Sequence, residues 1–149
     1  MNKVIFEFGG TIDKFIGDAV MVLFGAPQDM SPEQQVERAT RCALAMHEAL
    51  DRLAMSWIDE RAVALKMRIG IHHGPAVVGN FGSEQRSDYT AIGPTVNFAA
   101  RIESASDAGA VFVSESVAKL LAERRREPAG SFDLKGIEGN QTLYRLVED

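Results

Sequence analysis

The chain has 149 residues, 46% hydrophobic and 25% charged, with a formal net charge of −5. That length is enough for one globular domain with a real core, here taken as residues 1–149, and too short for two comfortable ones. The acidic balance argues against a nucleic-acid partner held through its phosphate backbone, which calls for a basic stripe, but local cations and a metal could still serve a nucleotide. No apolar run approaches the ~18 residues of a membrane span, and "MNKVIFEFGG" lacks the pattern of a cleaved leader. A cytoplasmic chain without direct membrane contact is therefore expected. The single cysteine, Cys42, reads as a buried small hydrophobe in a reducing compartment.

In chain order, "GGTIDKFIGDAVMVLFGAP" (9–27) reads as two strands joined at Gly17-Asp18, with Gly17 free to take the positive φ of a two-residue turn. Thr11, Asp13 and Phe15 alternate with Ile12, Lys14 and Ile16, so Asp13 and Lys14 are expected on opposite faces. Ala19 to Phe24 is almost continuously apolar and predicts a central strand buried on both faces. "SPEQ" (31–34) supplies a capping serine, a proline in the first turn and Gln34 for a capping box. The helix it opens carries Val36, Ala39, Ala43, Met46, Leu50, Leu53 and Trp57 as one stripe against a sheet.

Leu65, Met67, Ile69 and Ile71 alternate as a half-buried strand, and "HHGP" (72–75) predicts a turn into "AVVGNFG", a second hairpin. "SEQRSD" (83–88) reads as polar loop and "YTAIG" as a short extended piece. Pro94 opens a helix to about Ser104, "AVFVS" (110–114) is a strand, and 115–126 a helix with a basic end. "FDLKGIEGNQTLYRLV" closes the chain as a hairpin. Strands, hairpins and helices in this order predict an α/β (α+β) sandwich with one mixed or antiparallel sheet.

Several residues carry possible chemistry. Asn97 and Arg101 stand four apart and share a helix face, though such a pair alone also reads as solvated surface. Asp18 is either a hard-cation ligand at a hairpin tip or an ordinary turn aspartate. Lys14 is a lysine in want of an acceptor or one snorkelling from a strand edge. His72 and His73 point to opposite faces of a strand and have no third ligand, which favours a structural role. "GNFGS" lacks the lysine and hydroxyl of a phosphate-binding loop.

Taken together, "GGTIDKFIGDAVMVLFGAP", "MRIGIHHGPAVVGNFGS", "DYTAIGPTVNFAARIE" and "FDLKGIEGNQTLYRL" resemble, in order and phrasing, the catalytic domain of class III adenylate and guanylate cyclases from Phe8 to Val147. The resemblance implies a ferredoxin-like cyclase fold, a mixed sheet flanked by helices, and a homodimer or higher oligomer with its sites at the interface. It implies conversion of ATP to 3′,5′-cyclic AMP and pyrophosphate, assisted by two divalent cations, Mg2+ or Mn2+, through attack of the ribose 3′ oxygen on the α-phosphate. By the same resemblance Asp18 is a metal ligand, Lys14 and Thr90 contact adenine, Asn97 orients the ribose, Arg101 stabilises phosphate charge and Lys135 reaches the terminal phosphates. Guanylate cyclases carry glutamate and cysteine where Lys14 and Thr90 stand, so the pair points to ATP. Asp13 is given no part.

The chain departs from the family pattern at its start, where a strand with the other metal aspartate is expected; "MNKVIFEF" resembles only the end of a helix that follows it. The expectation is a weakly active or inactive piece of a cyclase, or a catalytically inert homology domain serving dimerisation or nucleotide sensing. An uncovered sheet is expected to make the chain an obligate oligomer. A diguanylate cyclase is disfavoured, because Gly9-Gly10 precede a whole strand rather than an acidic turn.

Overall fold

The computed structural model describes residues 2–17, 19–56, 66–83 and 86–147, with the backbone alone at 54–56, 81–83, 86–88 and 124. The elements are α1 (Asn2–Glu7), β1 (Thr11–Ile16), β2 (Ala19–Leu23), α2 (Pro32–Ser56), β3 (Ile69–Ile71), β4 (Val77–Ser83), β5 (Arg86–Ile92), α3 (Pro94–Ala105), β6 (Val111–Ser114), α4 (Glu115–Ala118), β7 (Arg126–Asp133) and β8 (Asn140–Leu146). Together they make an α+β fold of mixed and antiparallel sheets with flanking helices, as the sequence led one to expect. No described helix is long and apolar enough to cross a membrane.

Among the described residues the strands form three sheets instead of one: β1-β2, β3-β6-β8-β7 and β4-β5. The central strand is β6, every residue of which is buried, with β3 parallel on one side and β8 antiparallel on the other. This corrects the assignment of Ala19–Phe24 as central. Among the described residues β2 pairs with β1 alone and is half-buried; its apolar run packs through Val22 and Phe24 against Ile5, Cys42 and Met46. Gly17 takes φ 60° at the tip of this hairpin, as its turn requires.

The expected hairpin through "HHGP" is absent. β3 pairs in parallel with β6, a long-range partner, and among the described residues covers Ile69–Ile71, Leu65 lying outside them. The second hairpin joins β4 to β5 instead, in unbroken register from Val77 opposite Ile92 to Ser83 opposite Arg86, so most of the segment read as polar loop is strand. The helix expected over 115–126 stops at Ala118; a 3-10 turn spans Glu123–Arg125 and β7 begins at Arg126. Tertiary burial overrides helix propensity there: Leu121 is 7% exposed and Arg125 4%.

The capping box does form at the start of α2. Ser31 Oγ accepts from the Gln34 amide at 3.2 Å, and Gln34 Oε1 from the Ser31 amide at 3.1 Å. Val36 and Ala43 then pack with Val111, Val113 and Val117, while Cys42 and Met46 join the cluster around Ile5. The stripe leaves the core at Leu53, which is 47% exposed, and Trp57 lies outside the described residues. On the other side of the four-stranded sheet, Ile102 of α3 is fully buried with Phe112, Leu134 and Leu143. Gly70 allows this contact, since a Cβ there would lie 2.8 Å from the Ala99 carbonyl oxygen and closer still to the Glu103 backbone.

Candidate active site

β1 carries the first candidate residues, and its ladder with β2 is irregular where they sit. Ile12 pairs with Val22 and Lys14 with Met21, so Asp13 is the extra residue of a β-bulge. A bulge breaks strict alternation and re-aims the side chain at the break. Asp13 accordingly reaches β5: its Oδ2 accepts from the Thr90 hydroxyl at 2.6 Å and from the Ala91 amide at 3.3 Å. The bulge puts Asp13 in direct contact with a candidate base-reading residue, where uninterrupted alternation assigned it to the opposite face from Lys14 and to no role. The sequence signal was present but weak: a carboxylate inside a strand needs donors, and nothing nearby in sequence supplied them.

Thr90 is 9% exposed, at the boundary between core and surface, and Lys14, next to its partner, is exposed. Thr90 and Lys14 are thus brought into one neighbourhood, through Asp13. Gly93, with φ 135°, turns the end of β5 directly into α3, and Pro94 fills the first turn. Asn97 and Arg101 follow one turn apart, both exposed, while Ile102 anchors the opposite side of the helix. Their Cα atoms are separated by ~6 Å along the axis, at 1.5 Å per residue.

Lys135 lies in the turn between β7 and β8 and is exposed. The turn is held on both flanks: Leu134 is buried and Ile137 packs in the same cluster, which also contains Phe98 and Ile102 of α3. The Ile137 amide closes it by donating to the Leu134 carbonyl at 3.0 Å. Lys135 therefore projects from an anchored turn beside the helix bearing Asn97 and Arg101. Among the described residues, no hydrogen bond or ion pair engages the side chains of Lys14, Asn97, Arg101 or Lys135. Three cations are thus available to an anionic ligand.

Asp18 lies outside the described residues. Among those described, no three His, Cys, Asp or Glu side chains converge as a metal site. His72 has a packing role. Its ring stacks on Phe98 with centroids 4.1 Å apart, and Nδ1 lies 2.8 Å from the Ser114 hydroxyl. Burial, helped by the charge of His73, pulls its pKa down to about 4. The Ser116 hydroxyl ties in the next residue by donating to the His73 carbonyl at 2.9 Å. Burial pushes the Cys42 thiol up to about 11, which makes it inert packing rather than a nucleophile.

Lys14, Asn97, Arg101 and Lys135 stand on the exposed surface of one copy. Two hollows of about 260 and 280 Å³ lie elsewhere, against His47, Gly109 and Arg145. The surface next to the candidates is apolar: Phe15 and Ile16 follow Lys14 at 65% and 61% exposure, and Val77 and Ile92 are paired across β4 and β5 at 64% and 50%.

The chain belongs to the adenylate and guanylate cyclase catalytic domain family, which it matches over residues 4–148. It is similar to adenylate cyclase 1 of Rhizobium meliloti, 34% identical over 149 residues, covering 98% of this chain and 22% of that protein. Among solved structures it resembles the adenylyl cyclase CyaB from P. aeruginosa, with 36% identity and a TM-score of 0.89 over 99% of this chain and 76% of the other. It also resembles the guanylyl cyclase Cya2, with 34% identity and a TM-score of 0.83 over 97% of this chain and 73% of the other. The chain spans less than a quarter of the length of the first curated relatives it matches.

Proposed function

We propose that the chain acts as an adenylate cyclase domain, converting ATP to 3′,5′-cyclic AMP and pyrophosphate at an interface between two copies. The observation that carries this reading is the direct succession of β5 and α3: Thr90, Asn97 and Arg101 follow one another along the chain across that junction, in the order base, ribose and phosphate of a nucleotide. The presence of both adenylyl and guanylyl cyclases among the similar structures leaves the base to Lys14 and Thr90.

In this reading Lys14 donates to a purine ring nitrogen and Thr90 meets the exocyclic group. Asn97 holds the ribose so that its 3′ oxygen faces the α-phosphate. That oxygen bonds to phosphorus as the bond to the bridging oxygen breaks; the 3′ hydroxyl loses its proton and pyrophosphate leaves. Arg101, one turn on, meets the charge that develops on the transferring phosphate with a planar guanidinium fork. Lys135 neutralises the terminal phosphates from its anchored turn. Divalent cations, for which Asp18 is the proposed ligand in this chain, would neutralise the triphosphate. The exposed apolar residues Phe15, Ile16, Val77 and Ile92 suit burial against a second copy, which completes a site left open in one.

A second reading is a homology domain that dimerises or senses nucleotide without turnover. Incubation with Mn2+ and ATP, with cyclic AMP as readout, separates the two. Cyclic AMP formation that falls about 100-fold or more in Arg101→Ala supports the first. Nucleotide binding with no cyclic AMP supports the second.

A further inference from the structure

We infer that Asp13 is a positioning residue for purine selectivity: it fixes the Thr90 hydroxyl as a hydrogen-bond acceptor toward the ligand, and so favours a 6-amino purine over a 6-oxo purine. This rests on the reading of Lys14 and Thr90 as base-contacting residues.

A threonine hydroxyl alone does not discriminate, because it rotates to donate or accept as its partner demands. Thr90 does not have that freedom. Its Oγ1 lies 2.6 Å from Asp13 Oδ2, and its other acceptor among the described residues, the Ala91 carbonyl, is at 3.5 Å, the limit of a hydrogen bond. A carboxylate accepts and does not donate, so the hydroxyl proton must point to Asp13. The Ala91 amide, which can only donate, approaches the same Oδ2 at 3.3 Å and helps fix that oxygen in place. What remains on Thr90 Oγ1 is lone pairs. An exocyclic amine presents hydrogens to them; an exocyclic carbonyl presents a second acceptor, and a site of fixed polarity rejects the mismatched group.

The arrangement sits at the bulge, where Asp13 is the residue without a partner on β2 and its side chain reaches β5. The same bond also clamps the β1-β2 ladder to the β4-β5 ladder, so the test needs a readout that loss of a clamp would not move. That readout is a ratio of affinities for two ligands differing at the purine 6-position.

Binding of ATP and of inosine triphosphate, each with Mn2+, would be measured on the full chain by competition with a fluorescent ATP analogue, with melting temperature followed for each variant. Asp13→Ala is expected to lower the preference for ATP by about 5- to 10-fold, the range of one hydrogen bond of altered polarity. Asp13→Asn should keep most of it, because an amide oxygen can take the same two donors. Thr90→Val should lose the preference, and adding Asp13→Ala to Thr90→Val should change the ratio no further. An unchanged ratio in Asp13→Ala beside a lost ratio in Thr90→Val overturns the inference alone. So does a preference lost in Asp13→Asn as fully as in Asp13→Ala. If the unaltered chain binds neither nucleotide, or both equally, the reading of Lys14 and Thr90 fails and the inference with it.

Discussion

Arg125 and Glu37 form an ion pair with one end in the core: Arg125 Nη1 donates to Glu37 Oε2 at 2.7 Å while Nη2 donates to Thr40 Oγ1 at 3.2 Å. The Arg125 side chain is 5% exposed, whereas that of Glu37 is 44% exposed and also bonds Arg41. Removing the acid leaves a buried cation half-paired, a larger cost than the net value of a surface pair. Glu37→Ala is expected to lower unfolding free energy by about 1 to 2 kcal/mol, read from urea denaturation with an unchanged slope. Burial raises the Glu37 carboxyl, but its bonds to Arg41 and Arg125 outweigh this and hold it below the usual range. Its contribution is therefore present above pH ~4.5 and is lost as pH falls further; Glu37→Gln should flatten that acid limb.

His72 titrates over a different window. Its folded pKa of about 4 lies below the unfolded value of 6.5, so the unfolded chain binds the proton first. Stability is full above pH 6.5 and declines progressively toward pH 4. His72→Phe, which can keep the stack on Phe98, should abolish the part of the melting-temperature decline above pH 4.5 that Glu37 does not cause. An identical pH profile in that variant would refute the assignment.

At Gly70 the expected effect is steric. An alanine methyl would press into the backbone of α3 at Ala99 and Glu103, where neither neighbour is a flexible side-chain tip. Gly70→Ala should cost about 1 to 3 kcal/mol in denaturant unfolding.

For the oligomer, Phe15→Glu and Val77→Glu each place a charge on the exposed apolar surface beside the candidate site. Because neither residue is buried in a single copy, circular dichroism should be unchanged. Light scattering should shift from dimer toward monomer at micromolar concentration, and any cyclic AMP formation should fall with it.

Base choice can be tested by exchange. Lys14→Glu with Thr90→Cys, introduced together, should move nucleotide preference from ATP toward GTP, as competition binding would show. Unchanged preference would mean that these positions do not read the base.

Features specified by neighbouring residues were legible in the sequence. The Ser31 to Gln34 box, the positive φ at Gly17, the helix opened by Pro94 and the buried β6 follow from local rules and recur in the structure. Long-range pairing was not legible. Nothing local in "RIGIHHGP" records that Ile69–Ile71 would pair in parallel with Val111–Val113, so its Gly-Pro was read as a turn. Polar residues hid β5, because a strand in a two-stranded ladder needs no apolar pattern on its open side. Propensity misled at "AKLLAERRR", where Arg125 is drawn inward by Glu37 and Thr40 and helix gives way to a 3-10 turn. Within the site, the joint helix of Asn97 and Arg101 was visible from spacing. Asp13 was not, since a bulge is one residue of slippage that only the partner strand reveals.

α3 is fastened near both ends through positions other than Asn97 and Arg101. Near its start the Thr95 hydroxyl donates to the Pro75 carbonyl at 2.5 Å; near its end the missing side chain of Gly70 lets β3 approach the backbone at Ala99 and Glu103. Neither fastening uses Asn97, Arg101 or any other outward position. The helix is therefore a fixed mount whose outward row can be rewritten by mutation at little cost to folding. A lineage built on this scaffold could change or abandon its chemistry there while keeping the same architecture.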